Sequence, residues 1–132
     1  MIKVKTVVRD SDVHGFGLFA DQMIPKGTIT WEYDPEYDVS FPSEKIECLP
    51  PVARAYMYYY CYFDKQLQKY VLCADGQRYI NHSQKRLNIE STPTRDIAAR
   101  DILPGEELLC DYRQFDNKYF ERNGLSLEDI KE

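Results

Sequence analysis

The chain has 132 residues and a formal net charge of −5 at pH 7, with 43% apolar and 30% charged residues. This length and composition fit one globular domain with a core of its own. The negative charge argues against direct nucleic-acid binding, which depends on Lys and Arg, and favours a positively charged partner. No apolar run reaches the roughly 18–20 residues of a membrane span, and the alternating N-terminus does not resemble a signal peptide. We therefore expect an intracellular protein, cytoplasmic or nuclear.

The first third of the chain predicts short strands separated by turns. Residues 2–9 alternate apolar and charged side chains, as a half-buried strand does. The Gly-Phe-Gly triplet at 15–17 precedes another apolar stretch. A turn is predicted at 25–27, because Pro presets φ and Gly accepts a positive φ, and the TITWEY sequence at 28–33 predicts the next strand.

The middle of the chain predicts two short helices and a β-hairpin. Residues 34–55 carry four prolines, and one helix is expected to begin at Ser43 as its N-cap, with another near 51–54. Five tyrosines then fall within seven positions. This aromatic stretch at 56–63, a polar turn at 64–68 and the sequence KYVLCA after it predict the hairpin.

The last third predicts two more strands and a helix start. Residues 94–102 have a strand pattern, a Pro-Gly turn follows, and residues 106–112 predict a final strand. Ser126 precedes acidic residues, which is typical of a helix N-terminus. Short strands with few helices indicate a mostly-β domain, and no boundary divides residues 1–132.

The cysteines predict neither a metal site nor a redox motif. They are far apart in sequence, whereas a structural zinc site needs paired spacing. Two disulfides would be feasible, but without a secretion signal free buried thiols are favoured. The four residues are Cys48, Cys61, Cys73 and Cys110.

Three motifs follow one another in a recognisable order. They are HGFGLFA at 14–20, RYINHS at 78–83 and GEELLCDY at 105–112. In this order they resemble the SET-domain protein-lysine methyltransferases over a core of about 4–112, leaving 113–132 as a tail. The resemblance implies the SET β-clip fold, with small sheets and a C-terminal strand threaded like a pseudoknot beside the Asn-His loop.

The resemblance also implies an activity, the transfer of a methyl group from S-adenosylmethionine to a protein lysine. The cofactor carries the reactive methyl group, and the protein supplies position and electrostatics. Because an ammonium has no lone pair, the lysine must be neutral when it reacts. A desolvated aromatic channel lowers the lysine pKa and can also hold methylammonium groups.

The resemblance implies that the cofactor is bound by Gly15, Phe16, Gly17, Asn81 and His82. Glycine permits close approach of the backbone to a ligand. A buried amide and imidazole need hydrogen-bond partners, which a ligand can provide in part. The structural alternatives are a plain turn at the triplet and a histidine satisfied by the backbone.

The tyrosines provide the candidates for catalysis and for the lysine channel. Tyr112 ends the GEELLCDY motif, so the resemblance makes it catalytic, with a hydroxyl that orients the amine and stabilises the transferring methyl group. By motif position, Tyr56 lies near the cofactor and Tyr59 lines the channel. Strand alternation instead places Tyr59 on the face opposite its neighbours, and core packing is an equal alternative for each of them.

Two residues depart from the family pattern. Asn88 lies five positions after Ser83, one more than usual, which leaves its role open. Cys110 stands where many members have Phe or Tyr, the aromatic that limits how many methyl groups fit. The smaller cysteine lines the predicted channel and favours di- or trimethylation, unless an aromatic from 56–62 restores the limit.

The cysteine-rich zinc segment of many relatives is missing, so the tail is expected to close the site. Phe115, Tyr119 and Phe120 are candidates to stack on adenine, and Tyr119 and Phe120 are favoured as cofactor-binding residues. Some compact zinc-free relatives are dimers, so a homodimer stays open.

Alternating carboxylates in WEYDPEYD suggest a basic peptide or protein as substrate, such as a histone-like tail. If extended, these side chains would share one face, although a proline interrupts the run and a solvated acidic loop is the alternative. Family substrates add to a sheet edge as a strand. The residues are Glu32, Asp34, Glu36 and Asp38.

Two other functions stay open at this point. The chain could be an inactive SET-fold module that binds a basic or methylated peptide, or a subunit that is active only with a partner. Because Tyr112, His82 and both glycines of the triplet are present, loss of activity is disfavoured.

Overall fold

A computed structural model of the protein describes residues 1–130 and residue 132. Within them, short strands dominate and helices are few, as the sequence predicts. The strands are β1 Thr6–Asp10, β2 Phe16–Ala20, β3 Ile29–Glu32, β4 Val39–Pro42, β5 Tyr62–Asp64, β6 Lys69–Leu72, β7 Asn81–His82, β8 Ile89–Ser91, β9 Arg95–Ala98 and β10 Leu109–Cys110. The helices are α1 Ser43–Glu47, α2 Pro51–Tyr60 and α3 Tyr119–Arg122.

The strands pair into small sheets. β1 pairs antiparallel with β2, and two three-stranded antiparallel sheets have the orders β3-β9-β8 and β4-β6-β5. β7 and β10 instead pair in parallel, with Asn81 opposite Leu109 and His82 opposite Cys110. The last strand therefore lies directly beside the Asn-His-Ser segment.

Asn88, in the segment that follows β7, anchors the last strand. Its side-chain NH₂ donates to the Glu107 carbonyl and its side-chain oxygen accepts from the Leu109 N–H, both at 2.8 Å. The backbone N–H of Asn88 also donates to the Leu109 carbonyl at 3.0 Å. The pseudoknot-like threading as a whole stays a prediction.

The core has three clusters of buried side chains, and the sheets supply most of them. The first joins β2, β8, β9 and β10, and the second lies around Trp31 and Tyr62. The third packs helix α1 against β6 through Ile46 and Tyr70. All four cysteines are free, and three are buried as expected, whereas Cys48 is exposed.

The prediction of an aromatic strand over 56–63 is wrong, because most of this stretch is helix α2. The helix begins at Pro51, whose fixed φ suits the first helical position and whose missing N–H costs nothing there. Only Tyr62–Asp64 forms a strand. The turn at 64–68 and strand β6 occur as predicted, with Gln68 at a positive φ of 54°.

Smaller differences concern the ends of elements. Helix α1 is capped by Pro42, so Ser43 is its first residue and makes no side-chain cap. The last strand is shorter than the predicted 106–112. The hydroxyl of Ser126 accepts from the Glu128 N–H at 3.2 Å, but it caps a single 3₁₀ turn. No helix in the described chain has the length and apolar character needed to cross a membrane.

The four carboxylates of WEYDPEYD do not share one face. Asp38 is buried and accepts hydrogen bonds from the N-terminal ammonium and from backbone N–H groups of Asp34 and Ala74. The Glu32 carboxylate lies 3.5 Å from Arg95 Nε. A turn at 35–37 ends the extended backbone. The proposed acidic ladder is therefore wrong, because one carboxylate is needed inside the fold.

Candidate functional site

Two neighbouring cavities share three tyrosines in their walls. The larger cavity measures about 310 Å³ and lies against β7 and the tail; the smaller cavity measures about 50 Å³ and reaches towards β9. Side chains that line both cavities are Tyr59, Tyr112 and Tyr119. Ligands in the two cavities would therefore meet at this tyrosine wall.

Asn81 lines the larger cavity and ties down the loop before β2. Its side-chain nitrogen lies 2.9 Å from the carbonyl oxygens of His14 and Phe16 and 3.1 Å from the carboxylate of Glu107. These are all acceptors, so the two amide protons are used within the protein. The buried amide therefore shapes the cavity through residues 14–16.

His82 also lines the larger cavity, as a neutral ring. Its Nδ1 accepts the backbone N–H of Tyr112 at 3.1 Å and lies 3.6 Å from the Asp111 carboxylate. Burial lowers the pKa of His82 below 6.5 and outweighs the attraction of Asp111. With Nδ1 as acceptor, the neutral imidazole carries its proton at Nε2.

Tyr112 is held at the boundary of the two cavities. Its hydroxyl donates to the Ile80 carbonyl, and burial raises its pKa well above 10, so the phenol stays protonated. Its ring packs edge-on to Tyr119 and stacks on Phe120, with centroids 4.7 and 5.9 Å away.

Helix α2 separates Tyr59 from Tyr56. Tyr59 faces the cavities, and burial raises its pKa to about 12. Tyr56 is exposed and lies outside both cavities. Its ring centre is 4.6 Å from that of Tyr60, and its hydroxyl is 3.4 Å from Arg78 Nη1. On a helix, residues three apart lie on adjacent parts of the surface and not on opposite faces, so the alternation expected for a strand does not apply to Tyr56 and Tyr59.

The Gly-Phe-Gly triplet lies beside the larger cavity. Gly15 has a positive φ of 47°, which suits glycine, and Phe16 is exposed with its ring edge-on to Tyr79. A Cβ on Gly17 would lie 2.7 Å from the Glu107 carboxylate, so this glycine makes room for that side chain. The preceding residues 13–14 line the cavity instead.

The tail closes the larger cavity with helix α3. Tyr119 and Phe120 are buried and line it, and the Tyr119 hydroxyl donates to the Tyr59 carbonyl at 2.8 Å. Phe120 lies 4.9 Å from the His82 ring. Phe115 lines the smaller cavity, and its ring centre is 5.5 Å from that of Tyr62.

The smaller cavity contains Cys110 and a buried acidic residue that the sequence reasoning missed. Burial raises the pKa of the Cys110 thiol well above 9. Asp96 on β9 accepts a hydrogen bond from the Gln77 amide at 2.6 Å, and burial raises its pKa to about 6. In TRDIAARDI, Asp96 and Ala98 are two residues apart and therefore lie on the same, buried face of the strand. This spacing is the sequence signal for a buried carboxylate.

The fold and site define a class, a small mostly-β protein in which the Asn-His-Ser segment and the last strand build two adjoining cavities. The family model of the SET domain matches residues 15–113. This chain belongs to the SET-domain family. No cluster of His, Cys, Asp and Glu among the described residues could hold a metal ion.

Solved structures have the same fold. An apo polycomb repressive complex 2 from Chaetomium thermophilum with two substitutions in Ezh2 matches with a TM-score of 0.65 and 25% identity, over 90% of this chain and 16% of that one. Another structure of this complex has a TM-score of 0.59 and 22% identity, over 83% and 15%. This chain thus spans about a sixth of the length of these relatives.

A smaller relative matches over nearly its whole length. It is a candidate histone methyltransferase from Plasmodium falciparum, with a TM-score of 0.57 and 21% identity, over 84% of this chain and 95% of that chain. At this identity the likeness concerns the fold.

Proposed function

We propose that this protein transfers a methyl group from S-adenosylmethionine to the side-chain amine of a protein lysine. The observation that carries the proposal is the tyrosine wall shared by the two cavities. A cofactor on one side and a lysine on the other would meet there. Membership of the SET-domain family supports this reading.

The larger cavity suits S-adenosylmethionine. Its volume of about 310 Å³ falls in the range of small-molecule pockets, roughly 300–1,000 Å³. Phe120 offers an aromatic face, His82 offers an Nε2–H donor, and Asn81 holds the loop at 14–16. When bound, this cofactor supplies an electrophilic methyl group on a sulfonium.

The tyrosine wall would prepare the target amine. Tyr59, Tyr112 and Tyr119 all have raised pKa values because of burial, so they stay neutral and create an environment that disfavours charge. The same environment lowers the pKa of an entering lysine. Tyr112 would orient the amine at the boundary, with its hydroxyl fixed by the Ile80 carbonyl.

Calorimetric titration with S-adenosylmethionine is the first test. Wild type should bind, and Asn81→Ala should bind at least tenfold more weakly, because the loop at 14–16 loses its tether. Tyr112→Phe should keep the affinity but lose methyl transfer to basic peptides by about 10²–10³-fold. Tyr37→Phe, an exposed phenol elsewhere, is the matched control.

The outcomes separate the candidate functions. If wild type binds the cofactor but Tyr112→Phe retains full transfer, the catalytic role of Tyr112 is wrong. If wild type does not bind the cofactor, methyl transfer by the isolated chain is wrong. Binding of a methylated basic peptide would then favour the reader function, and activity restored by an added partner would favour a subunit.

The number of methyl groups depends on the smaller cavity. Cys110 is fully buried and lines it, so we expect room for di- or trimethylation. Cys110→Tyr should fill this space, restrict the product to monomethyl lysine and cost about 1–3 kcal/mol of stability through overpacking. Mass spectrometry of the product measures this, and monomethyl product from both proteins would contradict it.

The substrate we expect is a basic peptide or protein. The net charge of −5 supports this, although the alternating carboxylates no longer do. A screen of basic peptides, including histone tails, with labelled methyl donor tests the substrate class. Sedimentation of the purified chain tests the homodimer.

A further inference from the structure

A buried carboxylate lies next to the channel residue Cys110. Asp96 occupies β9, the central strand of its sheet, and is only 3% exposed. Gln77 donates to one of its oxygens at 2.6 Å. Among the described residues no cationic side chain forms an ion pair with it. A buried charge usually has such a counterion, so this one lacks an expected partner.

A neighbour of Asp96 across the sheet also lacks a partner. Asp96 pairs with Trp31 on β3 and with Ser91 on β8. Trp31 Nε1 is among the buried side-chain polar atoms of the described chain that have no hydrogen-bond partner, whereas the Ser91 hydroxyl faces Asp96 and lowers its pKa. Buried polar groups are normally satisfied, so an unpartnered indole N–H beside a buried carboxylate suggests a site for a polar group.

The site opens into the smaller cavity. Asp96, Gln77 and Trp31 line it together with Cys110 and Tyr112. Its volume of about 50 Å³ exceeds the roughly 10–15 Å³ that one water molecule needs. The small Cys110 side chain leaves this space where an aromatic ring would fill it.

We infer that Asp96 receives the cationic head of the target side chain in the smaller cavity and takes up one of its protons. The N–H bond breaks, its electron pair stays on nitrogen, and the proton forms an O–H bond with the carboxylate. A neutral amine and a neutral acid result, which removes two buried charges. The inference rests on the proposed function and identifies the group that would generate the reactive amine.

The electrostatics around Asp96 favour this role. The Cys73 and Cys110 thiols face it, and burial raises the pKa of each well above 9, so both are neutral. Tyr62 also lines the cavity as a neutral phenol, and Arg78 directs its Nε to the Cys73 carbonyl at 3.1 Å. With its pKa raised to about 6 by burial, Asp96 is a stronger base than an ordinary aspartate and is ionised at neutral pH.

The first test uses n-butylammonium, which reproduces the four carbons and the amine of lysine and requires no turnover. At pH 7.5 we expect it to bind wild type and to shift the ¹³C carboxyl resonance of Asp96. Asp96→Asn should weaken binding by about 10–100-fold, as expected for loss of a charge-assisted hydrogen bond. Asp21→Asn, an exposed aspartate after β2, should bind like wild type.

The second test is the pH profile of methyl transfer to a basic peptide. In wild type, kcat/KM should rise as pH passes through about 6, where Asp96 ionises. Asp96→Asn should lose this rise and most of its kcat, while Asp96→Glu should restore part of both. Affinity for S-adenosylmethionine should be unchanged in each variant, because Asp96 does not line the larger cavity.

These results separate the inference from the proposed function. Methyl transfer with the same rate and pH profile in wild type and Asp96→Asn would overturn the inference and leave the proposed function intact. Butylammonium binding that depends on Asp96, without methyl transfer, would support the cation site and contradict the enzyme. If Asp96→Asn fails to fold, the carboxyl resonance of wild type decides, and no shift at saturating butylammonium would overturn the inference.

Discussion

The polar side chains of the candidate site are held mainly by backbone groups of distant segments. The side-chain NH₂ of Asn81 contacts the His14 carbonyl before β2 and the Phe16 carbonyl at its start, and the ring of His82 accepts the N–H of Tyr112. Tyr112 in turn donates to the Ile80 carbonyl. Because each bond joins segments far apart in sequence, the site forms only when the last strand lies beside β7.

Asn88 provides a test of this dependence at the level of one residue. Asn88→Ala removes both side-chain hydrogen bonds to the last strand and leaves the buried Leu109 N–H and the partly buried Glu107 carbonyl without these partners. We expect the free energy of unfolding to fall by about 2–4 kcal/mol, since each unsatisfied buried group costs about 1–3 kcal/mol.

Urea unfolding followed by circular dichroism measures this loss. The matched control is Asn117→Ala, an exposed asparagine in the tail, which should change stability by no more than about 0.5 kcal/mol. Equal stabilities of the two variants would show that Asn88 does not hold the strand pair.

At the scale of elements, a buried ion pair within the tail links helix α3 to strand β5. The Arg122 guanidinium and the Asp116 carboxylate are 2.8 Å apart, and both side chains are almost fully buried. Asp116 also accepts the Phe63 N–H at 3.0 Å. The Arg122 guanidinium lies 5.1 Å from the centre of the Tyr70 ring. This pair therefore sets where Tyr119 and Phe120 stand in the larger cavity.

Asp116→Asn should destabilise the protein and weaken cofactor binding together. Breaking one partner of a buried pair leaves an uncompensated charge and costs about 3–5 kcal/mol. We also expect at least tenfold weaker binding of S-adenosylmethionine by calorimetry, because α3 closes the larger cavity. Glu121→Gln, which breaks an exposed pair between this helix and Lys118 at its N-cap, should cost less than about 1 kcal/mol. Unchanged affinity in Asp116→Asn would exclude the role of α3 as a cover.

Local sequence predicts strand and turn positions well where the pattern is unambiguous. The turn at 25–27, with Gly27 at a φ of 87°, and the turn between β5 and β6 are examples. The strand predicted over 2–9 is less exact, because β1 begins only at Thr6 and its burial does not alternate. The tyrosine-rich stretch fails because aromatic residues favour strands, while Pro51 at the helix start and packing against α1 and α3 decide for a helix. Tertiary contacts override propensity there.

The candidate site was predictable only where a motif carries it. The motifs and the tyrosine-rich stretch supply Asn81, His82, Tyr59 and Tyr112, and the fold places these four side chains around one cavity. Their assignment to cofactor and lysine stays a prediction. Asp96 belongs to no motif, and the sequence does not show that its strand places a carboxylate behind Cys110. That contact depends on the pairing of β9 between β3 and β8, which no local pattern encodes.

For the whole molecule, the pH dependence of stability combines opposing groups. Burial lowers the pKa of His82, and hydrogen bonding to Arg113 lowers that of Asp111, so both contributions to stability are lost as pH falls. Asp96 acts oppositely. Its pKa is raised from 3.8 to about 6 in the folded state, so its protonation stabilises the fold, and this stabilisation is lost as pH rises through about 4–6.

Asp96→Asn should therefore be more stable than wild type at neutral pH. A raised pKa of this size corresponds to about 3 kcal/mol, at 1.36 kcal/mol per pKa unit, and asparagine removes that cost. In urea unfolding from pH 4 to pH 8, the stability difference between variant and wild type should grow by about 2–3 kcal/mol up to pH 6–7 and then level off. Asp21→Asn should follow the wild-type curve, and parallel curves for Asp96→Asn would contradict the prediction. A variant that is more stable yet binds butylammonium poorly would show that the buried carboxylate serves the substrate at the expense of the fold.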